Sequence, residues 1–476
     1  MKKTISIILA LTLVFGFSFS SFAAEEQNWD AYWETEEAQA GVTMFPGSDE
    51  TGRNFSWYSE KEGKSEVIIT DVEAGTEKTF TGTAVKTYSG DYANKVSVTG
   101  LEKGKTYTYK CISEGYTSDE YTFTTSEGNE FSAMYVTDVH VSYNEEDENG
   151  LKNNAELFGK VIDQAEGKRE IDLLLSSGDQ ASMGLECEYK GFTSSPAIRT
   201  MTVATALGNH DRKGVDYSTF KNMPNEQTKG ICTTYNTGDY WFVKGDVLFL
   251  VLESNNGSGV DHHNFLKSAI NANKDVKWRV AVMHHDLYSG RIIHRESEND
   301  LLRLLWGPMQ SEFGIDLVLT GHSHYYTVSH VLYNGKVTQE TGANAVLNNP
   351  EGTVYMVSGS INRPRNDKSD DLGLNDTVGY YYEQQENQVL YNIIDFSEDS
   401  IKVSSYSYDT GEVFNTLTIT KDSQQGGHPQ KLPLFYSFIV NFLGTVYQFF
   451  NNINVYTRLK DEGLDVNFFE IVFSRK

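Results

Sequence analysis

Five short polar motifs, each directly after an apolar run, constrain the fold of this chain more than any other feature. In chain order they are Asp138-Val139-His140, Gly178-Asp179, Gly208-Asn209-His210-Asp211, His284-His285 and Gly321-His322-Ser323-His324. The apolar runs before them span residues 131–137, 171–177, 201–207, 278–283 and 315–320. These runs are short and mostly rich in β-branched or aromatic residues, which is typical of buried strands. The pattern therefore predicts an α/β fold in which five strands end in polar side chains.

The side chains in these motifs are the ones that bind metal ions. Carboxylate oxygens, amide oxygens and imidazole nitrogens are the ligands that divalent cations take in proteins. Sheets of this class bind their ligands at the carboxyl ends of the strands, so we expect the five motifs to meet in one crevice. A lone Gly-Asp or His-x-His is more often an ordinary turn or loop, but five such motifs in order behind five strands predict a metal centre.

The series D-x-H, G-D, G-N-H-D, M-H-H and G-H-x-H resembles the calcineurin-like metallophosphoesterase superfamily over roughly residues 127 to 420. Within it, residues 283–289 are similar to the corresponding stretch of the purple acid phosphatases. The resemblance implies a four-layer sandwich, with two mixed β-sheets flanked by helices and a two-metal site between the sheets. It also implies hydrolysis of phosphoesters, in which a metal-bound hydroxide attacks phosphorus in line.

The resemblance assigns seven metal ligands. Asp138, His140 and His324 would bind one metal ion. Asn209, His284 and His322 would bind the other, and Asp179 would bridge the two ions. Asn209 is also expected to contact the substrate.

Three further residues are candidates for contact with the substrate or for catalysis. By resemblance, His210 would not bind metal but would face the phosphate, stabilising charge or protonating the leaving oxygen. Asp211 would orient or charge His210, and its alternative role is that of a helix N-cap. His294 follows His284 by ten residues, about the distance of a substrate-contacting histidine in plant purple acid phosphatases. It is expected either to touch the substrate or to be an ordinary loop histidine.

Two positions depart from the purple acid phosphatase pattern. His140 stands where those enzymes have glycine, and Ser182 stands where they have the tyrosine that binds ferric iron. An added imidazole and a missing phenolate favour divalent ions. We therefore expect two divalent metals (Mn, Fe(II) or Zn), rather than an Fe(III)-tyrosinate centre, and a colourless protein.

The N-terminal residues have the features of an exported protein. Lys2-Lys3, an apolar core at residues 5–19 and Ser21-Phe22-Ala23 predict a signal peptide over residues 1–23. The protein is therefore expected to be a bacterial secreted or extracellular protein, with attachment to the cell surface as an open alternative.

Residues 38–126 alternate polar and apolar side chains, which predicts an all-β sandwich of the immunoglobulin or fibronectin III-like kind. Within them, residues 100–107 are similar to the turn-plus-tyrosine segment of fibronectin type III modules, and purple acid phosphatases carry such a domain before the catalytic one.

The C-terminal third combines further strands with a different kind of tail. Residues 127–420 are predicted as the catalytic domain, and its segments 352–360, 388–395, 401–406 and 413–420 read as strands expected to complete the second sheet. Residues 421–432 are predicted as a linker and residues 433–476 as an amphipathic tail. Residues 434–452 have helical periodicity with a polar stripe. They are expected either to pack on the protein or to associate with a membrane or the cell surface, and a spanning helix is the least expected outcome.

The net charge of the chain limits the classes of molecule that it is expected to bind. The net charge of −26 argues against binding to a nucleic acid duplex, which is itself a polyanion. We expect a small phosphorylated substrate, and the sequence does not predict the oligomeric state. The favoured function is that of a phosphomonoesterase resembling acid phosphatases, and the alternative is a phosphodiesterase or nucleotide hydrolase on the same metals. A non-catalytic cell-surface binding protein is a remote alternative, because degenerate enzymes usually lose ligands and this chain keeps all seven.

Overall fold

The computed structural model describes residues 39–144, 149–227, 238–288, 296–364, 380–381 and 388–422, together with single positions between 442 and 468. The predicted signal peptide, His294 and nearly all of the predicted linker and tail lie outside the described residues. Predictions about those segments stay predictions. Among the residues that are described, no helix combines the length and the apolar character needed to span a membrane.

Nine strands make up the N-terminal part of the chain. They are β1 (Gln39–Pro46), β2 (Gly52–Ser59), β3 (Glu66–Asp71), β4 (Glu77–Thr81), β5 (Thr83–Lys86), β6 (Tyr92–Thr99), β7 (Thr106–Ser113), β8 (Tyr116–Thr117) and β9 (Tyr121–Thr124). One layer has the order β1-β2-β6-β5, and the other has the order β4-β3-β7-β8 with β9 also paired to β7. Buried Trp57, Ile69 and Tyr109 belong to the apolar core that both layers share. The prediction of a β-rich N-terminal domain is confirmed.

A tyrosine hydroxyl stabilises the turn before β7. The Tyr107 hydroxyl accepts a hydrogen bond from the Glu102 backbone N–H at 2.9 Å. Such a contact with the backbone a few residues upstream is typical of the tyrosine corner in immunoglobulin-like sandwiches. The Tyr107 ring also stacks on Phe123, with the ring centroids 5.6 Å apart. These contacts agree with the fibronectin III-like prediction, although that fold assignment itself stays a prediction.

The larger part of the chain carries sixteen labelled strands and five helices among its described residues. The strands are β10 (Phe131–Val136), β11 (Leu173–Ser176), β12 (Thr202–Thr205), β13 (Tyr240–Lys244), β14 (Val247–Leu252), β15 (Trp278–Met283), β16 (Leu317–Thr320), β17 (Thr327–Ser329), β18 (Val331–Tyr333), β19 (Lys336–Gln339), β20 (Ala345–Asn348), β21 (Val354–Val357), β22 (Tyr380–Tyr381), β23 (Leu390–Phe396), β24 (Ser400–Ser407) and β25 (Val413–Thr420). The helices are α1 (Gly150–Glu166), α2 (Glu186–Phe192), α3 (Tyr217–Phe220), α4 (Gly259–Ala272) and α5 (Glu296–Glu312). Short 3-10 turns occur at Pro196–Arg199 and Asp211–Lys213.

Two mixed sheets position the five motifs. The first has the order β20-β25-β24-β23-β10-β11-β12, and the second has the order β13-β14-β15-β16-β21-β17-β22. Strands β10, β11 and β12 are parallel, as are β14, β15, β16 and β21. Each predicted apolar run contains one observed strand, and each motif follows the carboxyl end of its strand. Because these strands are parallel, their carboxyl ends lie at the same end of each sheet, and the motifs lie there too.

The late strands join a different sheet from the one expected. Strand β21 lies in the second sheet, but β23, β24 and β25 extend the first one. The reason is that β23 pairs antiparallel with β10, for example through Ala133 opposite Ile394. The expectation that all of these strands complete the second sheet is wrong for β23–β25.

The N-terminal strands continue the first sheet. Strand β1 pairs in parallel with β12 through Met44 opposite Thr202, so β1, β2, β6 and β5 extend the sheet to eleven strands. The pairing covers the backbone groups that β12 would otherwise expose as an edge strand. The predicted domain boundary at residues 126–127 stays a prediction.

The two sheets share an apolar core. Phe249 of β14 lies 6.2 Å from Phe131 of β10 and 5.6 Å from Phe396 of β23, measured between ring centroids. The alternate residue Leu248 belongs instead to a second apolar cluster with Phe265 of α4. Strand β14 is apolar throughout because both of its faces are covered. A mixed α/β domain is confirmed, while its division into four complete layers stays a prediction.

Candidate metal centre

The seven side chains predicted as metal ligands converge on one buried cluster. In its first half, Asp138 Oδ1 lies 3.1 Å from His324 Nε2. His140 Nε2 lies 3.1 Å from His324 Nε2 and 3.7 Å from Asp138 Oδ1. These three residues come from the loops after β10 and β16, which belong to different sheets.

The second half of the cluster is centred on Asn209. Its Oδ1 lies 3.0 Å from His284 Nε2 and 2.8 Å from His322 Nδ1, and the two ring nitrogens are 3.2 Å apart. Asp179 lies between the halves, since its Oδ2 is 3.3 Å from His284 Nε2 and 3.7 Å from His140 Nε2. The spacing matches the expectation that one carboxylate serves two ions.

The chemistry of this cluster fits bound cations. Donor atoms about 2.1 Å from one ion, at right or tetrahedral angles, are about 3.0–3.4 Å apart, close to the measured spacings. Asp138 and Asp179 are fully buried, and burying a carboxylate is costly without a compensating charge. Within the described part of the chain, no hydrogen bond reaches Asp138 Oδ1 or His140 Nδ1. The residues present can therefore hold two divalent ions.

Protons and metal ions compete for the same nitrogen at this cluster. Burial alone would lower the pKa of His284, but the Asp179 and Asp138 carboxylates raise this pKa to about 9. Burial would likewise raise the pKa of Asp179, yet the neighbouring imidazoles of His284 and His140 hold it well below its usual range. A metal ligand must be deprotonated, so a bound cation takes the place of the proton on His284.

Hydrogen bonds at Nδ1 orient the imidazoles of His284 and His324. His284 Nδ1 lies 3.0 Å from the Ser177 carbonyl oxygen, and His324 Nδ1 lies 3.0 Å from that of Arg363. Because a carbonyl oxygen only accepts, each Nδ1 donates, and Nε2 of both rings keeps its lone pair for the cluster. His285 instead directs Nδ1 to Ser254 Oγ at 2.8 Å.

The loops that carry the ligands have an unusual backbone. Five predicted ligands have φ between 49° and 72°, in the left-handed region: Asp138, His140, Asp179, His322 and His324. All other described non-glycine residues with positive φ are asparagines, the type that tolerates this conformation most readily. Such a conformation costs about 1–3 kcal/mol per residue and is typical of functional sites. The left-handed positions include both ligands of the Asp-x-His motif and both of the His-x-His motif.

Glycines in the motifs leave room for the ligands. A Cβ at Gly208 would lie 2.1 Å from Asp179 Oδ1, and a Cβ at Gly321 would lie 2.5 Å from Asp138 Oδ2. Both distances are far below any van der Waals contact. The Gly-Asn-His-Asp and Gly-His-x-His motifs therefore need glycine at their first position for reasons of space.

His210 lies half-buried at the edge of the cluster. One of its nitrogens lies within 4.8 Å of ligand atoms of His140 and Asp179. Its Nδ1 is 2.8 Å from the Ser182 carbonyl oxygen and 2.6 Å from Lys213 Nζ. The Ser182 carbonyl oxygen only accepts and the Lys213 ammonium group only donates, so the two contacts require opposite roles of Nδ1. Burial lowers the pKa of His210, and the Lys213 charge lowers this pKa further against the opposing effect of Asp179.

Asp211 does not contact the His210 ring. Its Oδ1 accepts from the Ala181 backbone N–H at 3.0 Å, and its Oδ2 accepts from the Gly208 backbone N–H at 2.9 Å. The Tyr189 hydroxyl also donates to Asp211 Oδ1, at 3.3 Å. The expectation that Asp211 orients or charges His210 stays a prediction. The carboxylate ties together the two loops that carry its backbone donors.

Two side chains beside the cluster were not singled out by any motif. Lys213 reaches His210, and Arg363 Nη2 donates to Ser182 Oγ at 2.9 Å. Ser182 stands at the position of the iron-binding tyrosine, so its hydroxyl here serves an arginine. Tyr326, which follows the last motif closely, directs its hydroxyl to Ser405 Oγ at 2.9 Å, away from the cluster.

Comparisons with known proteins agree with this geometry. The family model of the calcineurin-like phosphoesterases matches residues 132–326, which contain all seven ligands. The model of the purple acid phosphatase N-terminal domain matches residues 40–125. No curated protein matches the chain.

Solved structures share the fold at low sequence identity. Purple acid phosphatase PPD1 from seeds of yellow lupin (Lupinus luteus) is 17% identical with a TM-score of 0.62, over 81% of this chain and 75% of that chain. PhoD is 11% identical with a TM-score of 0.52, over 88% of this chain and 99% of that chain. At these identities the likeness concerns the fold alone. Residues 132–326 therefore match the calcineurin-like phosphoesterases and residues 40–125 match the purple acid phosphatase N-terminal domain, and with the converging ligands these matches identify a metal-dependent phosphoesterase.

Proposed function

We propose that the protein is a secreted phosphomonoesterase resembling acid phosphatases, with two divalent metal ions in the seven-ligand cluster. The observation that carries this proposal is the convergence of seven ligands on one buried point, with a histidine at its edge that is held by other groups. The match to the purple acid phosphatase N-terminal domain supports the monoesterase assignment.

The cluster divides the ligands between two ions. Asp138, His140 and His324 would hold one ion, while Asn209, His284 and His322 would hold the other. Asp179 serves both, as the position of its Oδ2 between the halves suggests. Two such ions supply Lewis acidity and an activated water to the reaction.

His210 and Asn209 act on the substrate. Through a protonated ring nitrogen, His210 donates a hydrogen bond to a phosphoryl oxygen or gives the proton to the leaving oxygen. Lys213 and Ser182 hold the ring in place for this step. Asn209 contacts the phosphoryl group beside its metal.

The substrate preference is tested with metal-loaded protein. We expect hydrolysis of p-nitrophenyl phosphate with a kcat/KM at least about tenfold above that for bis(p-nitrophenyl) phosphate, since tenfold is the effect of about 1.4 kcal/mol in the transition state. Simple nucleotides complete the panel. A preference for the diester would favour the phosphodiesterase alternative, and no turnover with both metals bound would contradict the proposal.

The metal ions are expected to be divalent, and the active protein is expected to be colourless. The visible band of an Fe(III) site needs a phenolate ligand, and Ser182 stands at that position. Mn(II), Fe(II) or Zn(II) suit the added imidazole of His140. A visible absorption spectrum of the active protein, with metal analysis before and after chelation, checks this. A strong charge-transfer band in the active protein would contradict it.

The site of action is proposed from the termini. Residues 1–23 support export, and the helical positions Phe442, Val446 and Phe450 are exposed apolar side chains in the tail. We infer an extracellular enzyme whose residues 434–452 associate with a membrane or the cell surface. Fractionation of cells that produce the full chain and a chain ending at residue 432 tests this, and identical distribution of both would contradict the role of the tail.

A further inference from the structure

Ser182 anchors two cationic side chains beside the metal cluster. Arg363 Nη2 donates to Ser182 Oγ at 2.9 Å, and Lys213 Nζ donates to the Ser182 carbonyl oxygen at 3.3 Å. The same carbonyl oxygen lies 2.8 Å from His210 Nδ1. Ser182 is itself buried, with 2% of its surface exposed. One fixed residue thus holds both positive charges next to the proposed catalytic histidine.

The backbone of Arg363 is also fixed to the first half of the cluster. Its carbonyl oxygen accepts from His324 Nδ1 at 3.0 Å, and its N–H donates to Ser360 Oγ at 3.0 Å. Ser360 Oγ in turn donates to the Asp138 carbonyl oxygen at 2.6 Å. Two ligand loops therefore set the position of Arg363, which is a stronger constraint than an ordinary surface arginine has.

The Arg363 guanidinium remains available to a ligand. It has five N–H donors in a planar fork, and among the described residues Ser182 Oγ engages one of them. Arg363 is exposed, whereas six of the seven cluster side chains are buried and Asn209 is half-buried. Its Nη2 is held at Ser182, whose carbonyl oxygen lies 2.8 Å from His210 Nδ1. The guanidinium is thus within electrostatic reach of the cluster and open to solvent.

The charge of the substrate determines which phosphate ester the two cationic side chains, Arg363 and Lys213, can favour. A phosphate monoester carries a charge of about −1.5 to −2 at neutral pH and has three terminal oxygens. A phosphodiester carries one negative charge and has two free oxygens. Coulombic attraction scales with the charge of the anion, so two fixed cations favour the monoester. On a chain with a net charge of −26, this selection must be local.

We propose that Arg363 and Lys213, both anchored on Ser182, form an anion subsite that selects doubly charged phosphate monoesters over singly charged phosphodiesters. The inference rests on the proposed phosphomonoesterase function and assigns the selection of its substrate to two residues. Arg363 contacts the terminal oxygen that a diester lacks, and Lys213 supplies a second charge while it holds His210.

The test compares Arg363→Gln with a matched control. Arg169→Gln makes the same change of charge on an exposed arginine that pairs with Asp395, just before β11 and thus at the opposite end of the strands from the ligands. With metal-loaded protein, we expect Arg363→Gln to lower kcat/KM for p-nitrophenyl phosphate by about tenfold, as for one charge-assisted hydrogen bond. The value for bis(p-nitrophenyl) phosphate should fall less than about threefold, and Arg169→Gln should change neither.

A binding measurement separates this inference from the catalytic proposal. By calorimetry on the metal-loaded protein, Arg363→Gln should weaken the binding of inorganic phosphate about tenfold and that of dimethyl phosphate less than about threefold. Equal losses for both anions, or no loss for phosphate, would overturn the subsite whether or not the enzyme turns over. Selective loss in a protein without turnover would instead support the subsite and contradict the proposed function alone.

Discussion

Asp179→Asn is expected to lower turnover by roughly a thousandfold or more, a loss typical of a central catalytic group, while the protein stays folded. The reason is that, among the described residues, Asp179 is the carboxylate within 3.7 Å of ligand nitrogens in both halves, His140 Nε2 and His284 Nε2. Asp179 Oδ1 accepts a hydrogen bond from the His210 backbone N–H at 2.7 Å. The side-chain oxygen of asparagine can still accept this hydrogen bond. The substitution removes the negative charge that two cations require.

The measurement is kcat/KM on metal-loaded protein, with circular dichroism melting to check the fold. Asp399→Asn is the control, because it removes a carboxylate whose side chain is 82% exposed and lies in the β23–β24 turn. That control should retain full turnover. Activity of Asp179→Asn within a factor of a few of the wild-type value would reject the bridging role.

His210→Ala is expected to lower kcat by about 10²–10⁴-fold, the range for loss of a general acid, without loss of metal. His210 Nδ1 is engaged by Ser182 and Lys213, so the ring is held for the substrate rather than for an ion. Metal content by mass spectrometry and kcat by steady-state kinetics test the two parts together.

His263→Ala provides the matched control for this histidine. His263 pairs with Glu312 at 3.2 Å between helices α4 and α5, and its side chain is 36% exposed. The control should keep both metals and full turnover. If His210→Ala instead lost an ion, His210 would be a metal ligand and its assigned role would be wrong.

The strands and the ligand cluster were predictable from local sequence. A short apolar run with aromatic and β-branched residues, such as residues 131–137, favours a buried strand, and Asp138 follows it directly. Since parallel strands present their carboxyl ends at one edge, the order of the motifs was enough to predict that the seven side chains meet. The likeness of the motifs to a known superfamily supplied the division between two ions.

Other features depend on contacts that sequence spacing does not encode. The pairing of β1 with β12 joins residues more than 150 positions apart, and β23 pairs with β10 across an even larger separation. The role of Asp211 follows from two backbone donors, which leave no trace in side-chain patterns. Arg363 lies 39 residues after His324 and has no metal-binding chemistry, so only the folded chain shows it next to Ser182.

The ligands with a left-handed backbone conformation show where local conformational preferences do not predict the structure of a functional site. Histidine and aspartate at positive φ are unfavourable in isolation, so nothing in the propensities of Asp138, His140 or Asp179 predicts this backbone. Hydrogen bonds from the neighbouring loop maintain it, for example from the His140 backbone N–H to the Asp179 carbonyl oxygen at 2.9 Å. Such strain is retained when the surrounding structure over-determines it.

The most direct test of the metal centre is anomalous X-ray diffraction from crystals of the metal-loaded protein, recorded on both sides of the metal absorption edge. Two peaks are expected per chain, one among Asp138, His140 and His324 and one among Asn209, His284 and His322. The Asp179 carboxylate should contact both, at a metal–metal separation of about 3.5–4 Å. A single peak, or peaks that leave Asp179 without an ion on either side, would contradict the two-metal centre.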